Sequence, residues 1–368
     1  MQMNTANIVE LLKKVPDPLT GQDIVTALRI RDMKVEGRAV TFSLEFPKID
    51  DETKMQLLAK CNELIQQAFP EAEVNIHFLL QGGGGTGELK EAERPLPHIQ
   101  NIIAVASGKG GVGKSTVSVN LALALKALGA KVGLMDADLY GPSIPTMLGI
   151  KGQRPKVMER YGQPKIAPLE AYGMPVISLG NIIEPEQAVV LRGPRLAAII
   201  KQFFFDVIWP SLDFLVVDLP PGTGDIQLTL VQTVPVTGAV MVTTPQEVAF
   251  ADALKAMNMF RLPSVNVPVL GVVENMAWFT PPELPGKRYF LFGKDGGKRL
   301  AKEANSVLLG QIPIVEQVRE GGDAGQPVVL DEASPVAKAF MEVGKNVLRQ
   351  VAIRNEMLEP TRIVKTES

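Results

Sequence analysis

Hydrophobic positions along the chain fall into two successive patterns. In the first, Ile8, Leu11 and Leu12 share one face of a helix over 4–14. After the turn PDPLTG the pattern predicts a short helix near 22–28 and strands near 30–35 and 39–46. The second strand, AVTFSLEF, alternates apolar and polar side chains, as a strand covered on one face does. Met55, Leu57, Leu58, Cys61, Leu64, Ile65 and Ala68 then form one stripe on a helix over 52–68. A strand at 73–80 closes a small α/β unit.

Beyond residue 98 the apolar runs become short and continuous: Ile102–Ala106, Val132–Met135, Phe214–Val217, Ala239–Val242 and Val269–Val273. Strands covered on both faces have this composition. Amphipathic helical stretches at 115–128, 247–260 and 335–350 separate them. The expected fold is α/β, a doubly wound, mostly parallel sheet with ligands at the strand C-termini. Between the two regions, GGGGTGELKEAERPLPHIQ at 82–100 combines four glycines, charges, Pro95 and Pro97, as a flexible linker does. The expected organisation is a small α/β domain over 1–81, a linker over 82–97 and a larger α/β domain over 98–368.

Composition narrows the function classes. A length of 368 residues suits two or three domains, and 46% hydrophobic against 21% charged residues provides a sizeable core. With 38 basic and 40 acidic residues the net charge is −2, which argues against a general partner role with nucleic acid or anionic membranes. The opening MQMNTANIVELLKKVPDP lacks a basic n-region and a cleavage site, and no apolar run approaches the roughly 18 residues of a membrane span. The cytoplasm is the expected compartment. One cysteine excludes an internal disulfide and any multi-cysteine metal site within one chain.

The strongest chemical signal is IIAVASGKGGVGKST at 102–116. Gly108, four residues, then Gly113, Lys114 and Ser115 make a P-loop between a strand and a helix. Its glycines let successive backbone N–H groups face a phosphate, and the helix N-terminus adds to that field. The expected nucleotide site is Gly108, Lys109, Gly110, Gly111, Val112, Gly113, Lys114, Ser115 and Thr116. Lys114 would reach the β- and γ-phosphates, and Ser115 would bind Mg²⁺. Asp136 and Asp138 end the strand VGLMDAD, where a carboxylate can hold the attacking water or a metal-bound water. Asp218 ends FLVVD and fits a carboxylate acting on Mg²⁺ through water. In the following LPPGTGD, Gly222 and Gly224 would permit movement when the γ-phosphate leaves. Any one of these aspartates also suits a helix cap. Asn275 in VVENMAW follows another strand; its amide suits adenine's donor and acceptor edge, or simply a turn. GKDGGK at 293–298 has no Ser or Thr for Mg²⁺ and reads as a turn opening a helix.

With its second lysine, KGGVGKS resembles the deviant Walker A ATPases, the group containing MinD, ParA and the nitrogenase iron protein. That resemblance implies a nucleotide-sandwich homodimer in which Lys109 crosses to the partner's phosphates in the manner of an arginine finger. A solvated loop lysine is the plainer alternative. It also makes Asp138 the water-positioning residue, giving a catalytic set of Lys109, Lys114 and Asp138, and makes Asp136 a support of the Mg²⁺ shell. DADLYGPSIP, LRGPR and VDLPPGTGD, in this order, resemble the Mrp family of iron–sulfur cluster carrier ATPases over roughly 98–350. The 1–80 unit resembles the small iron–sulfur-assembly domain that often precedes it. The implied cofactors are ATP and Mg²⁺, and the implied activity is delivery of a [4Fe–4S] cluster to apoprotein clients by a homodimer.

One departure from the family is plain. Many members carry Cys-x-x-Cys after the Asn-Met pair, supplying four thiolates from two chains. Here NMAWFTPPELPGKRYFLFG holds Thr280, Pro281, Pro282, Glu283 and Pro285 and no cysteine. Cys61 lies on an apolar stripe, where a buried structural thiol is expected. The iron–sulfur ligands are therefore unassigned. An ATP-hydrolysing homodimeric cluster carrier is the expected function; the alternative is a nucleotide-gated protein adaptor that holds no cluster. Membrane or chromosome positioning is weaker, because the tail RNEMLEPTRIVKTES shows little basic amphipathic character.

Overall fold

The structure, a computed structural model, describes residues 3–18, 20–27, 29–46, 51–80, 96, 98–138, 141–160, 163–183, 193–359, 361 and 363. Its contacts divide the chain into two compact units, Met1–Glu93 and Arg94–Ser368.

The smaller unit begins with α1 (Thr5–Leu12), whose first turn is capped by the Asn4 side chain accepting from Asn7 N at 2.9 Å. β1 (Ile30–Glu36) and β2 (Ala39–Phe46) form an antiparallel hairpin. α2 (Asp51–Ala68) then carries the chain over to β3 (Glu73–Leu80), which lies parallel to β2. The alternation in β2 is used as expected: Val40, Phe42, Leu44 and Phe46 all face the core, against Ile8, Leu12, Leu57, Cys61 and Ile65. The short helix expected near 22–28 is instead a turn over 22–27. The Asp23 carboxylate accepts from Val25 N and Thr26 N as a helix N-cap does, and Ala27 N donates to Asp23 O at 2.9 Å. Arg29 N then donates to Ile24 O at 2.9 Å, and the chain leaves for β1 after one turn. Ile24 N returns to Val15 O at 3.0 Å.

The larger unit is built on an eight-stranded sheet. Its strands are β4 (Ile99–Ser107), β5 (Val132–Asp136), β8 (Leu169–Ala171), β9 (Met174–Ser178), β10 (Leu212–Asp218), β11 (Gly238–Thr243), β12 (Val269–Glu274) and β13 (Leu308–Gln311). Their order is β13-β12-β11-β4-β10-β5-β9-β8, and every neighbouring pair is parallel except β8 with β9. β6 (Lys156–Arg160) and β7 (Gln163–Ala167) form a separate hairpin. The helices are α3 (Lys114–Ala127), α4 (Ile144–Met147), α5 (Gly193–Phe205), α6 (Asp225–Thr233), α7 (Glu247–Arg261), α8 (Gly296–Glu303), α9 (Glu316–Ala324) and α10 (Pro335–Met357).

Alternation along β4 sorts two cores. Ile102, Ala104 and Ala106 join Phe203, Phe204, Leu230, Met257 and Phe260 from α5, α6 and α7. Ile103 and Val105 join Val117, Leu121, Leu125, Phe340, Val343 and Val347 from α3 and α10. The sheet is thus covered on both faces, which is why its strands are continuously apolar. GKDGGK does open a helix, α8, from Asp295 in the left-handed region at φ 62°. Leu96, inside the stretch expected to be linker, packs into the first core at 6% exposure. The remainder of 82–97 lies outside the described residues. Among the described residues no helix is long and apolar enough to cross a membrane.

Cys61 is fully buried, and burial alone pushes its thiol up to about 12. At pH of about 8 a thiol reagent should therefore label native protein at least about 100-fold more slowly than urea-unfolded protein. Equal labelling rates would place Cys61 at the surface.

Candidate functional site

The site forms where the strand order reverses around β4, at the C-terminal ends of the parallel strands. β4 ends at Ser107, the loop 108–113 follows, and α3 begins at Lys114. Two glycines there admit no side chain. A Cβ on Gly108 would lie 2.0 Å from the Asp252 carbonyl carbon of α7. Gly113 has φ +82°, and a Cβ on it would lie 2.2 Å from Asn275 Nδ2. The loop borders a cavity of about 340 Å³ whose walls include Lys109, Gly110, Gly111, Lys114, Ser115, Thr116 and Asp138.

Three aspartates meet behind this loop. Asp218 and Asp136 are register partners at the ends of β10 and β5. Both are fully buried, and Asp138 is nearly so. Lys114 Nζ sits 2.8 Å from Asp218 Oδ2 and 3.4 Å from Asp138 Oδ2. Ser115 Oγ donates to Asp218 Oδ2 and Ser118 Oγ to Asp218 Oδ1, both at 2.6 Å. Asp136 accepts from Asp138 N at 3.1 Å and from the Ser178 hydroxyl at 2.7 Å. Burial, and then the charge of Asp218, push the Asp136 carboxyl up to about 8. Burial disfavours the Lys114 ammonium, but the carboxylates of Asp218 and Asp138 outweigh it and raise its pKa.

Asp138 Oδ1 is buried and has no hydrogen-bond partner. Ser115 and Asp218 are hard-oxygen donors that fit a hydrated Mg²⁺, and the orphaned Asp138 oxygen on the same cavity wall is left for a water's hydrogen. Among the described residues no three His, Cys, Asp or Glu side chains converge as a self-sufficient metal site. Phosphate oxygens would have to complete the shell.

The other expected residues are placed as follows. Asn275 is buried, and its Nδ2 donates to Val112 O at 2.9 Å. The contact it makes is with the P-loop itself. Lys109 is half-buried, with Nζ 3.3 Å from Gln246 Oε1 at the start of α7. Gly222 has φ +90°, and its N–H donates to Ser107 O at 2.8 Å, so the LPPGTGD turn is tied to the foot of the P-loop. Leu139, Tyr140, Leu191 and Arg192 of the other family motifs lie outside the described residues. The segment after Asn275 folds back on itself, Phe279 pairing with Tyr289 and Arg288 lying 4.3 Å from the Trp278 ring.

Four residues were missed from the sequence. Ser118 lies one helical turn beyond Lys114, a spacing that was legible. Ser178 meets Asp136 only through the β5–β9 register. Gln227 is fully buried, and its Nε2 donates to Pro220 O at 2.9 Å and to Gly222 O at 3.0 Å. It thereby holds the LPPGTGD turn, as Gln246 holds Lys109.

Comparison with known proteins supplies the context. The family model described as NUBPL iron-transfer P-loop NTPase matches residues 98–348, and an iron–sulfur cluster assembly protein model matches residues 5–78. An iron–sulfur cluster carrier protein of Synechocystis sp. is 41% identical over 95% of this chain and 99% of its own length. One from Aquifex aeolicus is 42% identical over 95% of this chain and 98% of its own. A nucleotide-binding protein from Archaeoglobus fulgidus, solved in complex with ADP, is 37% identical with a TM-score of 0.56, covering 67% of this chain and 94% of that one. MinD from Pyrococcus horikoshii, at 23% identity and TM-score 0.51, covers 70% of this chain and 100% of its own, and shows the shared fold.

The Asp136 carboxyl sets a pH dependence. Its native pKa of about 8 lies above its ordinary value of 3.8, so between these the native state holds a proton that the unfolded chain has lost. That stability is complete below the lower value and is lost as pH rises towards the upper one. The unfolding midpoint of nucleotide-free protein should fall between about pH 5 and about pH 8. Asp136→Asn should flatten this slope; an unchanged slope would assign the dependence elsewhere.

Proposed function

Because the chain belongs to the family of iron-transfer P-loop NTPases, we propose that it is an ATP-hydrolysing carrier that passes iron–sulfur clusters to apoproteins. The observation that carries this reading is the convergence of Lys114, Ser115, Asp138 and Asp218 behind the P-loop. In that reading the incoming β- and γ-phosphates draw Lys114 away from the two carboxylates, with which it is now paired. Ser115, and Asp218 through water, would hold Mg²⁺, with Asp136 supporting that arrangement by holding Asp138. Mg²⁺ supplies charge neutralisation on the phosphate oxygens. Asp138 orients the attacking water, whose proton its buried oxygen accepts.

Lys109 acts across a homodimer. Its single bond to a neutral amide, Gln246, is cheap to break and leaves its charge available to a second copy's phosphates. Loss of the γ-phosphate is felt at the LPPGTGD turn, which Gly222 joins to Ser107 and Gln227 joins to α6. Asn275 steadies the loop through Val112, and its remaining amide atoms are those left for adenine.

The cluster is cargo, and this chain supplies few ligands for it. The single thiol, Cys61, is buried. Two copies would bring two thiolates, not four, so the proposed carrier shares its cluster with thiols of a delivering or receiving partner. The small domain over 1–81, a linker over 82–97 and the ATPase domain over 98–368 then divide client handling from nucleotide chemistry. The cytoplasm is the proposed setting, with neither nucleic acid nor membrane as partner. The expected alternative, a nucleotide-gated adaptor without cluster, is not favoured by the relatives, which are named iron–sulfur cluster carrier proteins.

Lys114→Ala should abolish tight nucleotide binding, measured by calorimetry. Lys109→Ala should keep binding but lower ATP-dependent dimerisation and turnover by about 100-fold or more; wild-type turnover would remove its trans role. Anaerobic reconstitution with an apoprotein client, followed by iron and sulfide analysis, tests the carrier. ATP-dependent recovery of client cluster supports it. Absence of cluster on both proteins, with ATP-dependent capture of clients unrelated to iron–sulfur chemistry, would replace it with the adaptor.

A further inference from the structure

A second cavity lies at the opposite end of β4 from the P-loop, where Leu96, Ile99, Asn101, Pro235, Thr237 and Arg354 form its walls. Nine strand residues at about 3.3 Å each put it about 30 Å from the phosphate loop, so it is independent of the nucleotide site. Its volume is about 260 Å³, suited to a small ligand.

The feature without a structural explanation is Arg354, in the last turn of α10 and only 9% exposed. A guanidinium has five N–H donors. One Nη donates to Asn355 Oδ1 at 3.1 Å and the other to Glu359 O at 2.6 Å. Nε is buried with no acceptor. No carboxylate among the described residues forms an ion pair with Arg354, and burial holds its pKa below the usual guanidinium range. A last-turn arginine commonly serves the helix C-terminus. That accounts for one donated bond here, but not for a buried charge that no carboxylate among the described residues balances, which is costly. Nε itself is closed off from solvent and out of a ligand's reach, so any contact falls to the Nη groups.

The surroundings are fixed and mixed in character. Asn355 Nδ2 donates to Asn101 Oδ1 at 3.0 Å, and Asn101 Nδ2 donates to Asp213 O at 3.1 Å, so the polar side is held by a relay. Thr237 Oγ1 accepts from Ile102 N at 3.0 Å and keeps its own proton to donate. Leu96, Ile99, Pro235 and the half-exposed Leu358 supply apolar walls.

We propose that this cavity is a second ligand site for a small organic monocarboxylate with a short apolar body. Arg354 is the one charged side chain among the described residues of the wall, so a single negative charge balances it, and a guanidinium prefers a carboxylate to a neutral acceptor. A phosphate dianion would exceed that charge and leave the apolar walls unused.

Calorimetry on the full chain with hexanoate, acetate and inorganic phosphate tests this. Hexanoate should bind once per chain with a Kd of about 1 mM, with acetate and phosphate at least about tenfold weaker. Arg354→Met should abolish hexanoate binding. Leu358→Asp, at a half-exposed position at the mouth, should weaken it about tenfold or more and decides the matter if Arg354→Met does not fold. ADP affinity should be unchanged in Leu358→Asp. No hexanoate binding at about 10 mM, phosphate binding as tight as hexanoate, or an unaltered Kd in Leu358→Asp would overturn the proposal.

Discussion

The buried carboxylate of Asp218 is the constraint around which the larger unit is organised. It ends the central strand β10 at zero exposure, where an ionised group without partners is prohibitively costly. Three donors answer it: the Lys114 ammonium, the Ser115 hydroxyl and the Ser118 hydroxyl, all from the first turn and a half of α3. Hydrogen bonds to a charged acceptor contribute about 1.5–3 kcal/mol each. Together they set the angle at which α3 leaves the P-loop. In the same loop, Gly108 and Gly113 lie closer to α7 and Asn275 than a Cβ allows.

The same arrangement is what a nucleotide has to rearrange. Lys114 is satisfied by Asp218 and Asp138, so phosphate binding in the proposed mechanism is an exchange of one set of anions for another. An exchange of that kind is near balance, and small differential interactions then decide the state of the turn that Gln227 and Gly222 hold. Asp136 sits one layer further in. It touches no cavity wall but fixes Asp138 through its backbone, and is in turn fixed by Ser178.

Cluster handling stands apart from this machinery. The segment after Asn275 is tied back by the Phe279–Tyr289 pair and by cation–π contacts, without a thiol anywhere in the larger unit. The one thiol of the chain helps to fill the small unit's core, where desolvation suppresses the thiolate that iron would need. The proposed carrier would therefore hold its cluster jointly with another protein.

Much of this was written in the sequence because it depends on neighbours along the chain. The P-loop, the β2 alternation and the apolar strands of the sheet are local patterns with period or spacing fixed by backbone geometry. The segment near 22–28 carries a helix start at Asp23 but stops after one turn, because Arg29 is held by Asp17 at 2.6 Å and leads directly into β1. Leu96 looked like linker because its partners lie far along the chain. Sequence alone thus determined that a phosphate site exists, which strand and helix hold it, and that four cluster thiolates are lacking. Only the tertiary structure decided that Asp136 meets Ser178, that Asn275 braces Val112, and that Arg354 is buried with no counter-charge among the described residues. Those contacts join residues 42, 163 and more positions apart through sheet order and register, which no local spacing encodes.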